Sequence, residues 1–186
     1  MNNIVMRLLR HIFLLALFCP SIAMAAGGDI VITQPLEVPE SMLSAEAVYL
    51  RLEDVDTFCD VRVNGNFVGS TSNRFRRWEW DVKPCLHAGE NVLEGTFHDA
   101  EAISEQLNDA LDHVVRMNSA GLVPHINLIR KPLYQGGWDW GPKCMYTGFA
   151  GKVELIPVNV ARLDYITCAQ EHSKRKCELT DRKSVV

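Results

Sequence analysis

Asp60-Val61-Arg62-Val63-Asn64-Gly65-Asn66-Phe67-Val68-Gly69 is the stretch on which the fold turns. Val61 and Val63 alternate with Asp60 and Arg62, the period of two that a half-buried strand requires. Asn64-Gly65 follows, and then the apolar pair Phe67 and Val68. Both central positions of a type I′ turn need positive φ, so Asn-Gly between two such runs predicts a β-hairpin. Upstream, Val48, Leu50 and Leu52 alternate with Tyr49 and Arg51 in the same way. Downstream, strands are expected at Arg77 to Val82, Asn91 to Phe97, Gly151 to Ile156 and Arg162 to Cys168, with Gly89-Glu90-Asn91 as the turn between two of them. One segment departs from this pattern. From Ile103, apolar residues recur at Leu107, Ala110, Leu111, Val114 and Met117, which predicts a helix capped by Asp99 and closed by Gly121. Its polar face, Glu105, Asn108, Asp109 and Asp112, is a solvated surface. Several strands with one helical excursion predict an all-β protein, a jelly-roll β-sandwich with the amphipathic helix at one edge or end.

The N-terminus carries Arg7 and Arg10, an apolar stretch from Ile12 to Ile22, and Ala23-Met24-Ala25 before Ala26. This predicts a signal peptide, residues 1–25, cleaved after Ala25 for secretion or delivery to the periplasm. The stretch is shorter than a membrane span and is broken by Pro20, so no membrane association is expected after cleavage. Cleavage removes two arginines and no acid, which makes the mature chain more acidic than the net −4 of the whole. With no basic stripe to neutralise phosphates, nucleic acid is excluded as a partner. Cys59, Cys85, Cys144, Cys168 and Cys177 remain, an odd number that cannot all pair; Cys168 and Cys177 flank a polar stretch able to turn a hairpin and are the first pair to consider, with free or structural thiols the default. Neither Cys-x-x-Cys nor His-x-x-x-His occurs, so neither a metal nor another cofactor is expected.

No repeat or linker interrupts Asp29 to Pro157, and residues 26–157 are expected to form one sandwich. Residues 158–180 begin with strand-like character but are too few to bury a core, and are expected to be the start of a following Ig-like domain. The last six residues, Asp181 to Val186, match the translation of a common sequencing adapter and are expected to be an artefactual tail on a chain that naturally continues.

Tyr134-Gln135-Gly136-Gly137-Trp138-Asp139-Trp140-Gly141-Pro142 sets an acid between two indoles, with glycines on both sides. An indole face stacks on the C–H face of a sugar ring and a carboxylate accepts hydrogen bonds from two neighbouring hydroxyls, which makes the run a sugar-reading device. Tryptophan also serves as packing material, and Asp before Trp-Gly-Pro also serves turn chemistry. The residues by themselves leave both readings open.

Four stretches together resemble the N-terminal sugar-binding module of β-mannosidases in glycoside hydrolase family 2. They are Leu52-Glu53-Asp54-Val55-Asp56-Thr57 with Asp60 to Gly65; Asn73-Arg74-Phe75-Arg76-Arg77 leading to Trp80-Asp81-Val82; Gly89-Glu90-Asn91-Val92-Leu93; and Arg130-Lys131-Pro132 through Trp138-Asp139-Trp140-Gly141-Pro142 to Gly148. The hairpin alone is common to many sandwich modules, whereas the last stretch is much more specific. The resemblance runs from about Pro35 to Cys168. It implies a galactose-binding-like jelly roll lying against a catalytic (β/α)8 barrel that supplies two glutamates for retaining hydrolysis of terminal β-mannosides.

The implied substrate-binding residues are Trp138, Asp139 and Trp140. Asp139 would accept hydrogen bonds from the non-reducing sugar, Trp138 would shape the pocket, and Trp140 is expected to be chiefly a structural anchor. Arg130 and Lys131 are expected to support the loop or to face the adjoining domain. The family often has an aromatic residue at the position of Gly136 and an arginine at that of Lys143, so this loop is expected to be looser. The family's early strands before Pro35 are missing, which implies an incomplete N-terminal edge. With no barrel the chain holds no catalytic residue of its own. The expected partners are a β-mannoside oligosaccharide and that barrel; a freestanding carbohydrate-binding module is the alternative, and a non-functional remnant a third.

Overall fold

A computed structural model describes residues 21–24, 27–116 and 123–185. Four strands form the largest sheet in the order β2 (Ile30–Val38), β8 (Gly89–Phe97), β5 (Phe58–Val63) and β6 (Asn66–Ser72). A second sheet runs β10 (Val153–Val158), β3 (Ala47–Leu52), β7 (Trp78–Asp81), and a third β1 (Ser21–Met24), β9 (Tyr146–Phe149), β4 (Val55–Asp56). A hairpin of β11 (Leu163–His172) and β12 (Cys177–Val185) follows. Every paired strand is antiparallel.

The expected alternation sets the layers. In β5, Cys59, Val61 and Val63 are buried while Phe58, Asp60 and Arg62 are not; in β3, Val48, Leu50 and Leu52 turn inward. The inward residues of the four-stranded sheet meet Leu50 and Leu52 of β3, Val55 of β4 and Phe149 of β9 in one core, with Trp78 and Trp80 packed against it. Phe97 and Phe149 touch edge to face at 5.1 Å between centroids, the geometry aromatic pairs prefer. Gly95 makes this contact possible, since a Cβ there would lie 2.7 Å from both rings.

Asn64 and Gly65 both take positive φ, as the hairpin requires. Asn64 has a second function: its Nδ2 donates to the Asn91 side chain at 2.7 Å, and its Oδ1 accepts from the Val92 N–H at 2.9 Å. The hairpin tip is thereby tied to the start of β8. Strands β2, β4, β9 and β12 are additions to the expected set. β2 begins before Pro35 and β1 falls inside the segment read as a leader, so the N-terminal edge is fuller than expected.

Two expectations are corrected. The helix, α2, runs only from Ala100 to Asp109; a shorter turn, α1 (Glu40–Leu43), precedes it in the chain. Asp99 caps α2 as expected, accepting from the Glu101 and Ala102 N–H groups. Only Ser104 of the helix is buried, and Val114 is 82% exposed. Asp109 and Asp112 put negative charge at the carbonyl end, which opposes the helix dipole and favours the early stop. Met117 and Gly121 lie outside the described residues. The second correction concerns Cys168 and Cys177. They do share a hairpin, but Cys168 stands opposite Asp181 and Cys177 opposite His172. That register offsets them by about 13 Å along the strand, beyond the reach of a disulfide.

Candidate functional site

The Trp-Asp-Trp run forms a closed turn. The Trp138 N–H donates to the Gly141 carbonyl at 3.0 Å and the Gly141 N–H returns to the Trp138 carbonyl at 3.2 Å, which leaves Asp139 and Trp140 at the tip. Gly137, at φ +82°, lets the stem close, because a Cβ there would fall 2.9 Å from the Lys143 nitrogen. Lys143 Nζ bonds Glu101 in the first turn of α2 at 2.6 Å, so the side chain at this position fastens the loop to the helix.

Trp138 is half-buried and Asp139 is exposed. No hydrogen bond or ion pair engages the Asp139 carboxylate among the described residues. Trp140 is 83% exposed, which corrects the expectation of an anchor: its indole stands in solvent, and the partly packed tryptophan is Trp138. An unspent carboxylate beside a free indole, on a turn closed by backbone bonds, can accept from paired hydroxyls while the ring covers an apolar face. The turn lines neither the open cavity of about 240 Å³ bounded by Glu53, Asp54, Arg74, Phe75, Arg76 and Arg77 nor the small one beside His98. It projects.

Its supports lie beneath it. Lys131 is buried, and its Nζ donates to Asp56 Oδ1 at 2.6 Å and to the Tyr146 carbonyl at 2.5 Å. Asp56, equally buried, also accepts from Arg74 at 2.9 Å, from Gln135 Nε2 at 2.7 Å and from the Thr57 hydroxyl. Burial holds the Lys131 amine below the ordinary lysine range, and Arg74 adds to this while Asp56 opposes it. Arg130 behaves differently from its neighbour. It is exposed, its guanidinium lies 5.6 Å from the Phe75 ring, and its carbonyl accepts from the Arg74 N–H at 3.0 Å.

The structure thus seats Lys131 on Asp56 together with Arg74 and Gln135, and leaves Arg130 exposed against Phe75. Asp56 and Arg74 stand in the quoted motifs, but β5 and β6 separate them in the chain. One signal was present: Lys131 follows buried Ile129 by two positions, so an inward lysine needed a carboxylate. Among the described residues no cluster of three His, Cys, Asp or Glu side chains is placed to hold a metal, and no helix is long and apolar enough to cross a membrane. Cys59 belongs to the core, where burial pushes its thiol up.

The glycosyl hydrolase 2 galactose-binding domain-like family matches residues 21–151. The chain belongs to this family. The β-mannosidase of Bos taurus is 30% identical over 125 residues, which are 63% of this chain and 14% of that protein. β-Mannosidase B of Aspergillus niger is 32% identical over 126 residues, 66% of this chain and 15% of that protein. The crystal structure of a β-D-mannosidase from Dictyoglomus thermophilum superposes with a TM-score of 0.72 at 26% identity, covering 84% of this chain and 19% of that one. A β-D-glucuronidase for which Dictyoglomus thermophilum is also named shares the fold at 16% identity and a TM-score of 0.56. The chain thus spans about one seventh of the length of the curated relatives it matches, as the N-terminal family domain of larger glycosidases does.

Proposed function

We propose that this chain is the N-terminal module of an exo-β-mannosidase, and that its Trp138–Gly141 turn forms one wall of a pocket for a terminal, non-reducing β-D-mannose. The observation that carries this is the tip itself: Asp139 without a partner among the described residues and Trp140 bare, on a projecting turn that lines neither cavity described above. One wall calls for a facing surface, and a (β/α)8 barrel bearing two glutamates is the surface the β-mannosidase likeness suggests. On this reading Asp139 selects the sugar by accepting from its hydroxyls, Trp138 shapes the wall, and Trp140 stacks on the ring or on the facing domain. The bond-breaking carboxylates belong to the barrel. We further propose that the protein acts after secretion or in the periplasm.

The chain by itself should leave an aryl β-mannoside intact over hours. In a fluorescence titration it should bind β-1,4-mannobiose weakly, with Kd on the order of millimolar, as befits half a pocket. Asp139→Ala should weaken that binding further. Turnover by the purified chain would refute the division of labour. Tight binding, lost on Asp139→Ala, would favour a freestanding carbohydrate-binding module, the reading that the bare indole of Trp140 also suits.

A further inference from the structure

Gln135 is fully buried and polar, and it immediately precedes the loop rather than belonging to its exposed part. Its carbonyl, its side-chain oxygen and its side-chain nitrogen each have a partner. The Gln135 carbonyl accepts from the Cys144 N–H at 2.9 Å, and its side-chain Oε1 accepts from the Tyr146 N–H at 3.1 Å. Its Nε2 donates to Asp56 Oδ2 at 2.7 Å. One residue thus joins the outgoing stem, the returning stem and a carboxylate on β4 that Lys131 and Arg74 hold in place.

The other described contacts hold one stem each: the Gly136 carbonyl accepts from the Val123 N–H at 3.1 Å, and the Tyr146 carbonyl accepts from Lys131 Nζ. Gly136 and Gly137 give the outgoing stem no side chain, and the tip is closed by the Trp138–Gly141 pair. The Lys143–Glu101 ion pair is largely exposed and so worth little, whereas Gln135 ties both stems to the buried carboxylate of Asp56.

We infer that Gln135, seated on Asp56, is the positioning residue that aims Asp139 and Trp140, so that the pocket wall is built from the buried polar cluster upward. Only the ligand arm of the test rests on the carbohydrate reading; the placement of the turn does not.

Gln135→Met keeps the length of the side chain and removes its hydrogen bonds. Amide hydrogen exchange on the intact chain should show the Trp138, Gly141, Cys144 and Tyr146 amides losing protection by about tenfold or more, the scale of a lost buried hydrogen bond. The Leu50 and Leu93 amides should be unchanged. Affinity for β-1,4-mannobiose should fall in parallel.

Gln135→Glu supplies a second arm that does not depend on the first variant folding. In its neutral form the introduced carboxyl still donates to Asp56 and accepts from Tyr146, whereas in its ionised form it turns lone pairs toward Asp56, with Lys131 and Arg74 the nearby cations. Burial and Asp56 raise the pH at which it ionises. Loop protection in this variant should therefore be near wild type in mild acid and fall as the pH rises, a dependence absent from the parent chain.

Unchanged loop protection in Gln135→Met would overturn the inference. So would a loss spread equally over Leu50 and Leu93, which would make Gln135 a general stability residue, or a pH-independent Gln135→Glu. Local loss of protection in a chain that binds no mannobiose would uphold the positioning and refute the sugar reading instead.

Discussion

Asp56 accepts hydrogen bonds from Lys131, Arg74, Gln135 and Thr57 in the interior, while Asp139 on the projecting turn accepts none among the described residues. The first carboxylate is consumed by the fold, and the second is the one proposed to meet a sugar. Removing a partner from the buried set is therefore costly. Lys131→Met strips the shortest ion pair from Asp56 while Arg74 stays paired with it, and should destabilise the chain by about 1–3 kcal/mol, the cost of a buried acceptor losing a donor, as read from urea unfolding. His98 gives a pH signature. Its Nδ1 lies 2.9 Å from Asp29 and its Nε2 3.4 Å from Asp60, and the Asp29 hydrogen bond above all raises its pKa over the ordinary 6.5. The charged form is favoured in the folded state, so this stabilisation is complete below about pH 6.5 and is lost as the pH climbs through the raised folded value. Asp60 works in the opposite direction. The Ser70 hydroxyl holds its carboxyl low, and its contribution is lost only in acid. His98→Gln should abolish the part of the decline in melting temperature that sets in as the pH rises above about 6.5, while leaving the acid limb in place.

At the scale of elements, strands whose side chains alternate were legible, because one face of each is the core and the other is solvent. Val61 and Val63, or Leu50 and Leu52, declare that without help from neighbours. β4 could not be seen in this way: it has two residues, both buried, and exists because β9 passes beside it. The helix shows the converse fault. Its apolar spacing was real, but it is the N-terminal half that docks, through Ser104 on the Pro124 carbonyl and Ala100 on the small cluster of Val123, Ile126, Ile129 and Met145. Spacing reports which residues share a face and not whether anything covers it. β1 poses a sharper question, since cleavage after Ala25 would remove a strand that pairs along β9 from Ser21↔Phe149 to Met24↔Tyr146. A chain beginning at Ala26 should keep the four-stranded sheet, lose protection at the β9 amides and be less stable by about 1–2 kcal/mol, a few exposed backbone hydrogen bonds. Equal stability of the two lengths would show that β1 adds nothing to the module.

For the molecule as a whole, the order of strands, hairpin and loop was readable because each motif carries its own local physics. The site was legible in part. Trp138 and Asp139 could be singled out from their neighbours, but the exposure of Trp140 and the cluster beneath the loop depend on which segments the sheets bring together. Asp56 and Gln135 are 79 residues apart in the chain and 2.7 Å apart in space, a distance no local pattern encodes. On the proposed function, the sandwich holds out one sugar-reading turn toward the rest of a larger glycosidase. The most direct test is to titrate the isotopically labelled chain with β-1,4-mannobiose and follow its amide and indole N–H resonances. The account predicts saturable shifts centred on Trp138, Asp139 and Trp140, reduced several-fold by Asp139→Ala and absent from the β11–β12 hairpin; shifts confined to other surfaces, or none up to tens of millimolar sugar, would contradict it.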